Sequence, residues 1–174
     1  ISTLPHGEWD AWSIWNLHAR FLARGLGDWK NMASPAISWT HADYPLLLPA
    51  SIAAGWRVTS SEATQIPAAI TVLFSAITIL LLTAAVNQES SRRNALLAGI
   101  ILMATPKFWQ NGTIQTADIP MAFFVLTAVA LLWRRDFDRS DSLREAALAG
   151  GAISLAAWTK NEGILDRKST RLNS

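Results

Sequence analysis

Residues 66–86 (IPAAITVLFSAITILLLTAAV) constrain this chain most, because 21 consecutive residues carry no charged side chain. A helix needs about 20 apolar residues to cross a hydrocarbon core of about 30 Å. A helix also satisfies its backbone polar groups internally, which a lone segment in lipid requires. This run therefore predicts a transmembrane helix.

Three shorter apolar runs follow, over residues 94–109, 119–133 and 143–159. Each alone is compatible with a core helix of a soluble protein. Their regular spacing after a full-length span, together with 51% hydrophobic and 16% charged residues, favours a membrane bundle. We predict an all-α fold, a polytopic membrane helix bundle with about four spanning helices within residues 66–163.

The polar loops indicate which side each helix end faces. Residues 87–94 and 134–144 are rich in arginine, whereas residues 106–118 hold Lys107 as their one basic side chain. Basic loops stay in the cytoplasm, so the loop at 106–118 is predicted to be external, as is the segment at 159–163. Residues 1–65 then form one long external loop with interfacial helices near 10–24 and 46–56.

The predicted helix over residues 10–24 is amphipathic. Its apolar arc contains Trp12, Ile14, Trp15, Ala19, Phe21 and Leu22, and its polar arc contains Asp10, Ser13, Asn16, Arg20 and Arg24. A helix of this kind suits the membrane surface, with the polar arc in water.

This topology gathers several ionisable side chains on the external side, close to helix ends. They are Asp10, His41, Asp43, Asp118, Lys160 and Glu162. Ionisable groups near membrane depth are costly, and those that persist tend to line a polar cavity. A shared site at this end of the bundle is therefore geometrically feasible.

Each of these side chains also has a purely structural interpretation. Asp10 and Asp118 lie where a helix N-cap is expected, and Asp43 lies in a proline-bounded turn whose backbone it can bind. Lys160 can extend its ammonium to the interface. The nine tryptophans are either interface anchors or platforms for sugar rings.

The two ends of the chain lead us to expect a fragment. The first residue is not Met, and residues 166–174 (DRKSTRLNS) resemble read-through of a sequencing adapter. Without this tail, which we take as non-native, the basic and acidic residues balance, so no nucleic-acid partner is expected. The absence of cysteine excludes thiolate chemistry. The fragment alone is expected to be inactive.

Five short motifs occur in a distinctive order: GEWDAWSIWN, HADYPLLLP, SSEATQIPAAI, TADIPMAFF and AAWTKNEG. This order resembles the membrane glycosyltransferases of the C superfold. In particular, it is similar to the protein mannosyltransferase and aminoarabinose transferase relatives, including the bacterial Rgt-like group. The resemblance extends over nearly all of residues 5–163.

The resemblance implies an enzyme of the bacterial inner membrane with its active site facing the periplasm or exterior. Its donor would be a sugar on a polyprenyl phosphate, and its acceptor a hydroxyl of a lipid or glycan, with inversion at the sugar. Asp10 matches the general base of these families and Lys160 the cation at the lipid phosphate. His41, Asp43, Asp118 and Glu162 would help to bind the donor.

Two departures from the family pattern bear on specificity and on metal use. HADYP lacks tandem prolines, and TKNEG holds Asn161 and Glu162 where relatives have glycine, so the sugar is left open. Asp10 follows a tryptophan rather than a second acid, although Glu8 stands nearby. One carboxylate is a poor divalent site, so no cofactor is assigned and a divalent cation stays open.

Two other function classes compete with the enzyme. A polytopic transporter or channel would use the same acidic side chains to bind ions or solute, but it should show repeats and broken helices around a midplane site. A membrane scaffold would tolerate changes at Asp10 and Lys160. The location of the charges at external helix ends favours the enzyme.

Overall fold

A computed structural model describes residues 5–25, 27–133 and 142–161, and within these ranges the protein is all-helical, without strands. A π-helical turn, Ala11–Trp15, leads into the first α-helix, and short 3₁₀ helices span Asp28–Ala33 and Pro35–Thr40. The α-helices in the described ranges are α1 (Asn16–Arg24), α2 (Leu47–Thr59), α3 (Gln65–Glu89), α4 (Arg92–Ala104), α5 (Pro106–Thr113), α6 (Asp118–Trp133) and α7 (Ser142–Thr159). The predicted all-α class is confirmed.

Helix α3 contains the uncharged run predicted to cross the membrane. It has 25 residues, which at 1.5 Å per residue rise about 37 Å, more than a hydrocarbon core requires. Among the described residues it is the one helix long and apolar enough to span. Helix α6 is apolar but shorter, so a bundle of four spans stays a prediction.

Large apolar side chains on α3 and α4 face outward from the packed structure. At least half of each of these side chains is exposed: Leu73, Leu80, Leu96, Ile100 and Ile101. A soluble monomer rarely presents so continuous an apolar surface, whereas lipid or further helices would cover it. The outer surface thus agrees with the membrane location of α3.

Helices α3 and α6 run side by side in the same direction. Phe74 of α3 contacts Phe123 and Phe124 of α6, and the C-terminal residues of both helices, including Val86 and Trp133, line one apolar cavity of about 290 Å³. Helix α7 packs along α6 and ends beside the start of α6. The starts of α3 and α6 and the end of α7 therefore lie at one end of the bundle.

The second predicted span is interrupted. The apolar run over residues 94–109 divides into α4 and α5, because Thr105 is extended and Pro106 begins a new helix. Proline disfavours helical geometry in the residue before it and suits the first position of a helix. The loop predicted over residues 106–118 consequently contains the eight-residue helix α5, which the prediction missed.

The helix predicted over residues 10–24 forms, but part of its polar arc is not in water. Ser13 and Asn16 are buried, and the Asn16 side-chain nitrogen donates a hydrogen bond to the His6 carbonyl at 3.1 Å. Residues 5–8 fold back over the helix, and the Glu8 backbone N–H donates to the Ile114 carbonyl at 3.3 Å. The return of residues 5–8 over these polar side chains is a feature that the amphipathic pattern did not predict.

The N-terminal helices are tied to the start of α3 by apolar packing and by one carboxylate. Trp15 and Trp56 are buried in the same cluster, and the Trp56 indole N–H donates to the Ala63 carbonyl at 2.9 Å. Arg24 donates two hydrogen bonds to Glu62, at 2.6 and 2.8 Å, in the bidentate geometry that fixes orientation. The external segment therefore has a defined position on α2 and α3.

Gly7 is predicted to be indispensable for docking the N-terminal segment. Its φ is +76°, and an added Cβ would lie 2.5 Å from the Ile114 carbonyl oxygen, a backbone atom that has little room to move. Gly7→Ala should therefore cost about 1–3 kcal/mol for strained backbone and about 1–3 kcal/mol more for overpacking. The check is the thermal unfolding midpoint of the full-length protein in detergent.

Gly25→Ala is the matched control for this substitution. Gly25 also has a positive φ, +103°, but among the described residues no non-adjacent atom lies within 4 Å of its added Cβ, so it reports backbone strain without the collision. Equal loss of stability in the two variants would contradict the docking role of Gly7.

Candidate functional site

An ion pair joins the start of α6 to the end of α7 at the end of the bundle where α3 begins. The Lys160 ammonium lies 2.9 Å from Asp118 Oδ1, and both side chains are largely shielded from solvent. The Thr116 hydroxyl donates to the other carboxylate oxygen, Asp118 Oδ2, at 2.8 Å. Both oxygens of Asp118 thus have side-chain partners, and the ion pair brings together two residues 42 positions apart in the sequence.

The Asp118 carboxylate precedes the apolar run of α6, and its charge is stabilised. Burial on its own would raise its pKa, but the hydrogen bonds from Lys160 and Thr116, together with the charges of Lys160 and Lys107, outweigh burial and hold the pKa below its ordinary value. Asp118 is therefore ionised at neutral pH. A fixed negative charge in this position orients the Lys160 ammonium, so the interpretation of Lys160 as a freely snorkelling side chain is disfavoured.

Asp43 is bound from the same end of α7. The Asn161 side-chain amide donates to Asp43 Oδ2 at 3.1 Å, and Asn161 directly follows Lys160. The turn itself is closed by the backbone, since the Tyr44 N–H donates to the His41 carbonyl at 2.9 Å. The Asp43 carboxylate consequently links the HADYP turn to the Lys160 region.

An aromatic stack supports this turn from below. The Tyr44 ring lies parallel to the buried Trp15 ring at 5.3 Å, and the His41 ring stacks on Tyr44 at 5.1 Å. His41 itself has a left-handed backbone, with φ of 53°. The turn that carries His41 and Asp43 therefore rests on the buried helix that follows Asp10.

A second histidine, His18, is wholly buried beneath the turn. Its Nε2 lies 3.4 Å from the Thr40 hydroxyl oxygen, and that hydroxyl donates its own proton to the Ile37 carbonyl. The Nε2 atom is therefore the donor, and Nδ1 is buried without a hydrogen-bond partner in the described part of the chain. Burial first, and then repulsion from His41, lowers the pKa of His18 to about 4.

Asp10 stands on a different element from the ion pair. It lies in the exposed first turn of the helix, its backbone is helical, and its carboxylate accepts no capping hydrogen bond. The capping interpretation of Asp10 is therefore not supported. Ala11, the next residue, is fully buried beside Gly7, whose own neighbours are Ile114 and Gln115, four and three residues before Asp118.

Two exposed indoles, Trp9 and Trp12, flank Asp10 in the sequence, and a third, Trp39, meets them in space. Trp9 and Trp12 are 4.6 Å apart between ring centroids, and Trp39 lies 6.0 and 6.3 Å from them. The exposed fractions of Trp9, Trp12 and Trp39 are 61%, 37% and 48%. We refer to these three residues as the tryptophan cluster.

The structure thus brings together Asp118 with Lys160, and Asp43 with Asn161, and it puts His41 on the same turn as Asp43. The sixth predicted residue, Glu162, lies outside the described residues, as does the tail at 166–174. Sequence reasoning missed the partners Thr116, Tyr44 and His18. A Thr two positions before Asp118 was visible in the sequence, whereas the stack and the buried histidine depend on tertiary packing.

The arrangement bears on metal binding as well. Within residues 5–25, 27–133 and 142–161, no three His, Cys, Asp or Glu side chains form a group able to hold a metal ion. The Asp118 carboxylate is occupied by Lys160 and Thr116. The site described here is therefore built around a carboxylate and an ammonium.

The buried His18 should make the protein less stable in mild acid. With a pKa of about 4 in the folded state and 6.5 unfolded, His18 takes up its proton on unfolding, so stability is complete above pH 6.5 and falls as the pH drops toward 4. Between pH 7 and pH 5 this amounts to about 2 kcal/mol. In the His18→Gln variant, the thermal unfolding midpoints at pH 7 and pH 5 should therefore lie closer together than in the wild type.

The exposed His6 provides the control, because His6→Gln should keep the difference between pH 7 and pH 5 seen in the wild type. A His18→Gln protein that keeps the full difference would show that other groups cause it.

Comparison with known proteins identifies the family of the chain. The sequence model of the family described as dolichyl-phosphate-mannose-protein mannosyltransferase matches residues 43–165, which are 123 of the 174 residues. Asp43, Asp118 and Lys160 lie inside the match, and Asp10 and His41 lie before it. Neither a curated protein nor a solved structure matches the chain significantly. The chain belongs to this family of membrane glycosyltransferases, which use a sugar on a polyprenyl phosphate as donor.

Proposed function

We propose that this protein transfers a sugar from a polyprenyl phosphate to an acceptor hydroxyl on the outer face of a bacterial inner membrane, with inversion at the anomeric carbon. The observation that carries the proposal is the Asp118–Lys160 ion pair, with Asp43 and Asn161 beside it, at the end of the bundle where α3 begins. A cation held at the mouth of a membrane helix bundle suits a donor whose phosphate lies at the lipid surface.

The membrane orientation follows from the charges at the two ends of the bundle. Arg92 and Arg93 are exposed at the end where α3 finishes, and the arginine-rich sequence 134–144 follows α6, which runs parallel to α3. Positive charges stay in the cytoplasm. The opposite end, with Asp43, Asp118 and Lys160, then faces the periplasm or exterior, and α4 with α5, α6 and α7 accompany α3 through the membrane.

The proposed reaction is a single displacement. The acceptor oxygen attacks the anomeric carbon, the bond from that carbon to the phosphate oxygen breaks, and polyprenyl phosphate leaves with the bonding electrons. The acceptor proton passes to the Asp10 carboxylate, which is exposed and caps no helix. Attack from the face opposite the phosphate inverts the sugar.

Lys160 stabilises the charge that grows on the departing phosphate. Its ammonium is already oriented by Asp118, so no side-chain reorganisation is needed as the charge develops. The phosphate and Asp118 would share the ammonium, which has three N–H donors. Asp43 and His41, on their stacked turn, would bind the sugar of the donor. Glu162, which directly follows Asn161 in the sequence, would help to bind the donor.

Asp10→Asn should abolish most of the sugar transfer while leaving the fold intact. The amide is nearly isosteric but accepts no proton, so the rate of polyprenyl phosphate release should fall by about 10²–10⁴-fold. The assay uses full-length protein in detergent with a labelled polyprenyl-phosphate hexose.

Glu89→Gln is the matched control, because Glu89 is an exposed carboxylate at the far end of α3. Equal activity of Asp10→Asn and wild type would remove Asp10 from the reaction. If wild type releases no polyprenyl phosphate from any lipid-linked sugar tested, the transferase proposal itself fails.

Lys160→Met should lower kcat/KM for the lipid-linked donor by about 10²–10³-fold, because a preorganised charge at the leaving group is lost. Lys160→Arg retains a charge but changes its position, so part of the rate should return. The control is Lys30→Met. Lys30 is an exposed lysine that lies over the Trp29 ring, within the predicted external segment of residues 1–65. A similar rate loss in Lys30→Met would indicate a general effect of surface charge.

A further inference from the structure

The tryptophan cluster is not used by the donor site, yet it shares a helical turn with the proposed base. Trp9 directly precedes Asp10, and Trp12 follows two residues later, so both indoles and the carboxylate belong to one exposed turn. Trp39 reaches this turn from the 3₁₀ helix Pro35–Thr40. Exposed indoles held against one another by two separate elements form a preformed aromatic surface.

A cavity adjoins this surface and adds polar groups to it. It measures about 380 Å³ and is lined by His6, Trp12 and Arg20. Its volume lies in the range of small-molecule sites, which combine apolar walls with a few polar side chains. The Arg20 guanidinium is positioned by Glu62, at 3.3 Å, and by the Trp56 ring beneath it, and a guanidinium has five N–H donors with which to bind further acceptors.

A carbohydrate ring matches this combination of groups. The C–H face of a pyranose is apolar and can lie on an indole, while its hydroxyls need hydrogen-bond donors and acceptors at the edge. Arg20 and His6 offer such groups beside Trp12. An interface anchor, by contrast, needs only amphipathic rings at headgroup depth and gains nothing from a cavity lined by a cation and an imidazole.

We propose that Trp9, Trp12 and Trp39, with the adjoining His6 and Arg20, bind a saccharide acceptor and present its hydroxyl to Asp10. This inference rests on the proposed function, because it assigns the acceptor side of the same reaction. The acceptor would be a carbohydrate, either free or as the head group of a glycolipid. It would bind at a surface separate from the donor site at Asp118 and Lys160.

The test measures glycoside binding separately from donor binding. Full-length protein is purified in an amine-oxide detergent, because glycoside detergents would compete for the surface. Methyl α-mannopyranoside, methyl α-glucopyranoside and their α-linked disaccharides serve as probes, and saturation-transfer NMR titrations give the Kd. The variants are Trp9→Leu, Trp12→Leu and Trp39→Leu, and the control is Trp29→Leu, which removes an exposed indole outside the cluster.

We expect wild type and Trp29→Leu to bind at least one probe, and each cluster variant to bind it about tenfold more weakly. Affinity for a polyprenyl-phosphate hexose should stay unchanged in all variants. Phenylalanine at the same positions keeps an aromatic face and should restore part of the binding, which a variant that merely misfolds would not show.

The inference is overturned if no probe binds wild type, or if the leucine variants bind as wild type does. It is also overturned if lipids with brominated acyl chains quench the cluster in nanodiscs, because the indoles would then be membrane anchors. Each of these three results leaves the proposed function standing as long as the wild-type protein still releases polyprenyl phosphate from its donor. Loss of that activity in wild type, by contrast, removes both proposals.

Discussion

The ion pair between Asp118 and Lys160 is the interaction on which the geometry of the site depends. It fixes the end of α7 against the start of α6, and Asn161, the next residue, holds the Asp43 turn in place. A partly shielded pair is stable only when both members are satisfied, and Thr116 supplies the second hydrogen bond that Asp118 needs. Five residues from three parts of the chain, Asp43, Thr116, Asp118, Lys160 and Asn161, therefore form one connected network.

The catalytic proposal divides the reaction between this network and a separate exposed turn. The network holds charge and suits the phosphate of the donor, whereas Asp10 lies among indoles that suit an acceptor. The two regions meet through the buried helix between them, since Trp15 stacks on Tyr44 of the HADYP turn. Base and donor site are thus connected by rigid aromatic packing rather than by a flexible loop.

The sequence predicted the parts of this arrangement that depend on local pattern. An uncharged run gave the spanning helix α3, and the alternation of apolar runs and polar loops put Asp118 and Lys160 at one end. It did not predict the break at Pro106 as a new helix, nor the burial of Ser13 and Asn16. Both features depend on tertiary context. The new helix depends on where a proline can restart a helix, and the burial of the two polar side chains depends on the return of residues 5–8. Asn161, which binds the Asp43 carboxylate, lies 118 positions away in the sequence, and no local sequence pattern predicts such a contact.

The docking of residues 5–8 onto Ile114 and Gln115, just before α6, has a consequence for the order in which the protein assembles. The Gln115 side chain reaches the Pro5 carbonyl across 110 positions of sequence. At about 5–20 residues per second, the docking partner leaves the ribosome several seconds after the segment that needs it. During this interval α3, α4 and α5 are synthesised, and residues 5–8 have no docking partner. The turn with Asp10 is therefore synthesised several seconds before the residues that complete the packing beside it.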